Sequence, residues 1–382
     1  MNKYLYLMVF IGFFVVTLVG NNGCTIHPVE GEVDESPDTD DSSSEITDRS
    51  IPTKDSTLPY TVVEVFYATD RSRSESNAPN EFFGAKRGIL SYGTTQVSIP
   101  LEHEVGEVER PSWWKFEFRE NPEKHIVLLS ISQKEKSKYF QALANRISAT
   151  KEKSAFIFIH GYNVSFDEAA RRTAQMAYDL KFDGTPIFYS WPSDSSWIPS
   201  LSLRYTTAEN NASWTQTHLK GFLKDFVKDT EAENIYLIAH SMGNRVLTKA
   251  IKEMVSEQFS MKQFTAIILA APDIDAEVFK RDIAPKIVDS SQSITLYMSS
   301  TDKALQVSKK VHEYPRAGDT TSGIWNDIQG IDMIDASNID TSFLGHSYYG
   351  NSILGDIRSL IIEGKSAMER GLEREQGYWK LK

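Results

Sequence analysis

The sequence predicts an α/β fold: a mostly parallel sheet with helices on both faces, entered through an antiparallel lead-in. Three observations predict it. From Tyr139 onward, short apolar runs alternate with stretches whose apolar residues recur at helical spacing. Between Val62 and Ser132 the runs are strand-like, with no helical stretch among them. Asn234–Glu253 reads as a strand covered on both faces, a tight turn with a serine at its apex, and a helix.

In chain order, residues 1–24 form an export signal. Lys3 precedes a largely apolar run, Tyr4–Gly20, then Asn21-Asn22-Gly23-Cys24. The end of this run resembles a bacterial lipobox: Gly23 fits the position before the cysteine, although Asn21 stands where leucine is usual. The resemblance implies lipid attachment at Cys24, and Ile26 in place of aspartate implies the outer membrane. An uncleaved anchor helix or an ordinary secreted form, periplasmic in location, is the alternative. Cys24 is the only cysteine, so no internal disulfide can form. Residues 25–58 read as a disordered tether, because Glu30–Thr57 carries ten acidic residues, two basic residues and no aromatic. Residues 59–382 are the folded domain.

Charge narrows the partners. The chain's formal net charge is -11; Glu30–Thr57 contributes -8 and residues 1–29 contribute +1, leaving -4 for the rest. The domain therefore has no basic surface suited to nucleic acid. The sequence points to no metal cluster and no cofactor.

Within the domain, Val62–Ala68 is a first strand, ended by Thr69-Asp70-Arg71, and Gln96–Pro100 a second. Trp113–Phe118 alternates aromatic and polar residues, which predicts a half-exposed strand, and His125–Ser132 is another. His103 and His125 have no evident partners and read as ordinary surface or sheet residues. Tyr139–Ile147 is a helix and Ala155–Ile159 a buried strand leading into His160-Gly161-Tyr162-Asn163. Ser165 with Glu168 forms a capping box opening a helix whose stripe runs Phe166, Ala169, Ala170, Thr173, Ala177 and Leu180. Pro186–Trp191 is a strand. A long polar loop, Pro192–Tyr205, then precedes a helix carrying Leu219, Phe222, Leu223, Phe226 and Val227. After the serine unit come strands at Phe264–Ala270 and Ser293–Met298, a weaker one at Ile331–Asp335, and a closing helix at Ser352–Ile362.

Chemistry concentrates at the turn Ala239-His240-Ser241-Met242-Gly243. A nucleophile elbow needs small residues two positions either side of the serine, and Ala239 and Gly243 supply them. In such a sheet, active-site groups lie beyond the carboxyl ends of the strands. Asp302 follows the strand Ser293–Met298, and His346 follows the last strand on a glycine-flanked loop. Ser241, Asp302 and His346 thus stand in the order expected of α/β-hydrolases. Asp273, after the preceding strand, is the competing acid; His312 falls inside a helix before the last strand. A serine hydroxyl needs an imidazole to take its proton, and the imidazole needs a carboxylate to hold its tautomer. For the oxyanion, the N–H of Met242 and the N–H of Tyr162 are the expected donors. His160 and His240 read as structural, Trp191 and Trp214 as core or pocket wall.

The runs F-I-F-I-H-G-Y-N-V-S-F-D-E-A, Y-S-W-P-S, I-A-H-S-M-G-N-R and L-A-A-P-D-I-D resemble the bacterial esterase/lipase-like α/β-hydrolases of the DUF900 family. The lead-in V-F-Y-A-T-D-R and the run F-L-G-H-S-Y-Y are similar too, extending the resemblance from about Val62 to Ile362. It implies an α/β-hydrolase fold and a serine-hydrolase site carried by Ser241, Asp302 and His346. The expected activity is cleavage of a small-molecule or lipid ester at the cell envelope, held to the membrane by the N-terminal lipid or signal anchor. An amidase, peptidase or acyltransferase could use the same triad, and a non-catalytic binding protein could keep the scaffold.

Overall fold

A computed structural model describes residues 58–194, 198–259, 264–323, 328–339 and 351–382. The signal, the tether and Cys24 lie outside the described residues, as does the loop 340–350 with His346.

The described strands form one eleven-stranded sheet. Chain order gives β1 (Tyr60–Arg73), β2 (Phe83–Pro100), β3 (Val127–Lys134), β4 (Ser154–Ile159), β5 (Thr185–Ser190) and β6 (Asn234–His240), then β7 (Phe264–Ala270), β8 (Ser293–Met298), β9 (Asp332–Asp335), β10 (Glu373–Arg374) and β11 (Trp379–Lys380). Across the sheet they run β10-β11-β9-β8-β7-β6-β4-β5-β1-β2-β3. β1 pairs antiparallel with β2 and parallel with β5, so the antiparallel lead-in feeds directly into the parallel body. Ile157 lies opposite both Ile187 and Leu237, and Leu237 opposite Ile267. This common register brings the carboxyl ends of the central strands to one rim.

Helices cover both faces. On one lie α1 (Lys136–Ser148), α3 (Leu201–Asp229), α4 (Gly243–Ser256) and the segment in which α5 (Ala276–Val278) and α6 (Ala284–Ile287) flank a π-helical turn. On the other lie α2 (Phe166–Asp179) and α8 (Asn351–Ile361); α7 (Lys303–His312) places Leu305 in that same core. β4 and β5 are buried from end to end and β7 at every position but Thr265, which is why they read as largely apolar runs. The capping box at Ser165 is present: its hydroxyl accepts the Glu168 N–H, and the Glu168 carboxylate accepts the Ser165 N–H.

Three expectations are corrected. β1 does not end at Thr69-Asp70-Arg71 but continues through them with irregular register. The Arg71 guanidinium is buried and supplies the bonds that hold the extension, to Ser190 Oγ and to the carbonyls of Gly84 and Val164. Trp113–Phe118 is not a strand: it makes a 3-10 turn, and Phe116 takes the left-handed φ of 58° that ends it. The loop after β5 is shorter than Pro192–Tyr205, because α3 begins at Leu201. Its buried stripe starts with Tyr205, Ala208 and Ala212, whose small alanines disguise the helical period. β10 and β11 are additional, and at two residues each they carry no readable pattern.

Candidate active site

Ser241 sits between β6 and α4 with a left-handed φ of 51°, a conformation that costs a non-glycine residue on the order of 1–3 kcal/mol. The surroundings hold it there. Its N–H donates to the Ala270 carbonyl at 2.9 Å, tying the turn to β7. Its own carbonyl accepts from the N–H of Asn244 at 3.1 Å and of Asp273 at 3.3 Å. The buried Asn244 side chain closes the clamp, donating to the carbonyls of Ser241 and Ala270, each at 2.9 Å. Pattern reading overlooks Asn244, because an asparagine in a helix's first turn announces nothing by itself.

Close packing explains the glycines. A Cβ on Gly243 would stand 2.6 Å from the Ile159 carbonyl oxygen and nearer still to that of His160. A Cβ on Gly161 would stand 2.9 Å from the Ser241 Cβ. The loop after β4 is thus pressed against the serine turn, as a donor loop for an oxyanion must be. Met242 stands at the N-cap of α4, where first-turn amides have no intrahelical acceptor. Tyr162 is half-buried in the facing loop, its ring 5.5 Å from that of Tyr205.

His160 braces this loop. It is buried and stacked on Trp191, with ring centroids 5.5 Å apart. Its Nδ1 donates to the Gly161 carbonyl at 3.0 Å, and Nε2 accepts the Trp191 N–H at 3.1 Å. Burial, helped by the Arg71 charge, holds its pKa well below the usual histidine value. Arg71 extends the brace, bonding Ser190, which touches His160, and the Val164 carbonyl further along the loop.

The acids differ in their commitments. Asp273 is buried, with Oδ2 accepting from the Tyr205 hydroxyl and Oδ1 from the Ser308 hydroxyl at 2.6 Å. Arg245 and Arg316 stand 3.6 and 3.4 Å from its Oδ1. Burial pushes this carboxyl up, but the two guanidiniums outweigh it and hold the pKa below the ordinary range. Asp302, after β8, is also buried and accepts the Leu305 N–H at 2.9 Å as the N-cap of α7. His312 lies inside α7, as its sequence position indicated. Its Nδ1 donates to the Ser308 carbonyl at 2.8 Å, and Nε2 is 3.0 Å from Glu209.

His218 pairs with Asp70, a partnership no local pattern reveals because 148 residues separate the two. His218 Nδ1 lies 3.0 Å from Asp70 Oδ2, an oxygen that also accepts from Tyr189 and Thr215. The Asp70 hydrogen bond raises the His218 pKa against a smaller opposing effect of burial. Trp214, expected in the core or a pocket wall, is half-buried on α3 with its ring edge-on to His218. Among the described residues, no group of three or more His, Cys, Asp or Glu is placed to hold a metal ion.

A family model described as an alpha/beta hydrolase of unknown function, DUF900, matches residues 135–360. The lead-in from Val62, to which the sequence resemblance extends, lies outside the matched range. No curated protein matches. Among solved structures, a poly(3-hydroxybutyrate) depolymerase from Bordetella parapertussis aligns at 12% identity and a TM-score of 0.37, covering 81% of this chain and 92% of that one. A thermostable esterase from Pseudomonas putida ECU1011 aligns at 11% identity and a TM-score of 0.31, covering 79% and 81%.

Proposed function

The chain belongs to the DUF900 family of α/β-hydrolases, and from that premise we propose that it is a serine hydrolase cleaving carboxylic esters through an acyl-enzyme. The observation that carries this reading is Ser241 itself: a left-handed serine at the apex between β6 and α4, against a glycine of the β4 loop.

In the proposed reaction the Ser241 hydroxyl attacks the ester carbonyl while His346 takes its proton. The N–H groups of Met242 and Tyr162 receive the developing oxyanion, each such donor contributing about 2.7–4 kcal/mol to barrier lowering. The intermediate collapses, and the departing alkoxide takes the proton from His346. Water then attacks the acyl-serine by the same route, releasing the acid and restoring the hydroxyl. Asp302 holds the His346 tautomer. Asp273, whose carboxylate accepts from Tyr205 and Ser308 and faces two arginines, is the competing acid.

The N-terminal signal and Cys24 support a place in the bacterial cell envelope, as an outer-membrane lipoprotein or a periplasmic protein. No helix among the described residues is long and apolar enough to cross a membrane.

A fluorophosphonate probe tests the site. Wild type should label covalently, while Ser241→Ala and His346→Ala should not. Equal labelling of all three removes the site. A series of p-nitrophenyl esters of rising chain length then reads the acyl preference. Acceptance of anilides but not esters would favour an amidase.

A further inference from the structure

We propose that the turn Trp113–Arg119 is a membrane-docking wedge whose aromatic side chains insert among the headgroups of an anionic phospholipid bilayer. Trp113, Trp114, Phe116 and Phe118 are 60%, 73%, 82% and 78% exposed. Four large aromatics so exposed within six residues form the kind of apolar patch that soluble surfaces avoid unless something covers it.

The turn has a hydrogen-bonded frame. The Ser112 carbonyl accepts the N–H groups of Lys115 and Glu117 at 2.9 and 3.1 Å, and the left-handed Phe116 closes it. Both sides of the surrounding loop are fastened to α2. Before the turn, Gly106 N–H donates to Asp179 at 2.7 Å and Arg110 pairs with Glu168 at 3.4 Å. After it, Glu120 accepts from Arg171 at 2.6 Å. Glu168 belongs to the first turn of α2, immediately after the β4 loop, so the stem of the wedge meets the sheet at the rim that carries Ser241.

Charge selects the occupant. The acidic residue within the turn, Glu117, is directed inward to His125 at 3.1 Å, whereas Lys115 and Arg119 are exposed among the aromatics. Tryptophan and phenylalanine interleaved with cations suit the boundary between anionic headgroups and acyl chains. The expected export signal of residues 1–24 would, if it acts as one, bring the domain to a membrane as well. This inference does not depend on the chemistry at Ser241.

The test uses the full chain with vesicles of phosphatidylcholine and phosphatidylglycerol carrying brominated acyl chains. Residues 1–57 contain no tryptophan, so quenching of tryptophan emission reports contact by the domain alone. Wild type and Ser241→Ala should both shift to the blue and be quenched. Trp113→Phe/Trp114→Phe should lose most of the quenching while still sedimenting with vesicles through the N-terminus. Lys115→Ala/Arg119→Ala should weaken quenching on anionic vesicles more than on phosphatidylcholine alone. Unquenched wild type, or quenching undiminished in the double tryptophan variant, overturns the proposal. So does lipid-free self-association abolished by Phe116→Ser/Phe118→Ser, which would assign the turn to a protein interface.

Discussion

The side-chain amide of Asn244 donates to the carbonyl of Ser241, the residue three positions before it, and to the Ala270 carbonyl on β7. One short side chain therefore fixes the serine turn to the neighbouring strand. Asn244→Ala leaves both carbonyls without that donor, at a cost of about 1–3 kcal/mol in urea unfolding. Displacement of the serine should slow fluorophosphonate labelling by up to ~10²-fold. Labelling at the wild-type rate would show that the clamp does not position the nucleophile.

Asp302 and Asp273 separate by the property each variant damages. Asparagine caps helices as well as aspartate does, so Asp302→Asn should keep α7 and its melting temperature. Turnover should fall by about 10⁴-fold through loss of the correct tautomer. Asp273→Asn removes the charge facing Arg245 and Arg316 and should destabilise the fold by about 3–5 kcal/mol. Thermal melts beside ester turnover decide; the opposite pattern moves the triad acid to Asp273.

Gly243→Ala should be the most damaging one-carbon change at the site. The added methyl meets two backbone carbonyls of β4 and its loop, which cannot rotate away as a side chain could. Overpacking of this kind costs about 1–3 kcal/mol. Its relief would push the β4 loop off the serine turn, so esterase activity should fall further than the melting temperature implies. Circular dichroism alongside activity checks this.

His103 should shape stability at alkaline pH. It lies between Glu109 and Asp179, at 2.8 and 2.9 Å, correcting its expected role as an ordinary surface residue. Burial lowers its pKa, but the two carboxylates prevail and raise it from 6.5 to about 9. A histidine raised in the folded state stabilises fully below its unfolded pKa and loses that contribution as pH rises through the folded one. Unfolding free energy should therefore fall by about 2 kcal/mol between pH 6.5 and 9. His103→Gln should start lower and show a flatter profile across that window; an unchanged slope would remove the assignment.

Much of the scaffold was legible because its signals are local. A strand covered on both faces must be largely apolar, as Ala155–Ile159 and Ile235–Ala239 are. A capping box spans three residues, and the one at Ser165 reads directly. The elbow's small neighbours, Ala239 and Gly243, were readable for the same reason.

Trp113–Phe118 shows where such reading stops. Alternation says that two faces differ, but not whether a second layer exists to bury one of them; here the aromatic set stays exposed. The same limit hid His103 between its carboxylates, His125 against Glu117, and His218 beside Asp70.

By itself the sequence determined the parallel sheet, the order of its elements and the serine turn, because periodicity and turn chemistry act between residues a few positions apart. Tertiary structure alone decided that Asp273 is occupied, that Asn244 clamps Ser241, and that an aromatic turn faces outward. Those outcomes depend on which distant groups meet, and burial makes each unmet polar partner costly enough to select the arrangement.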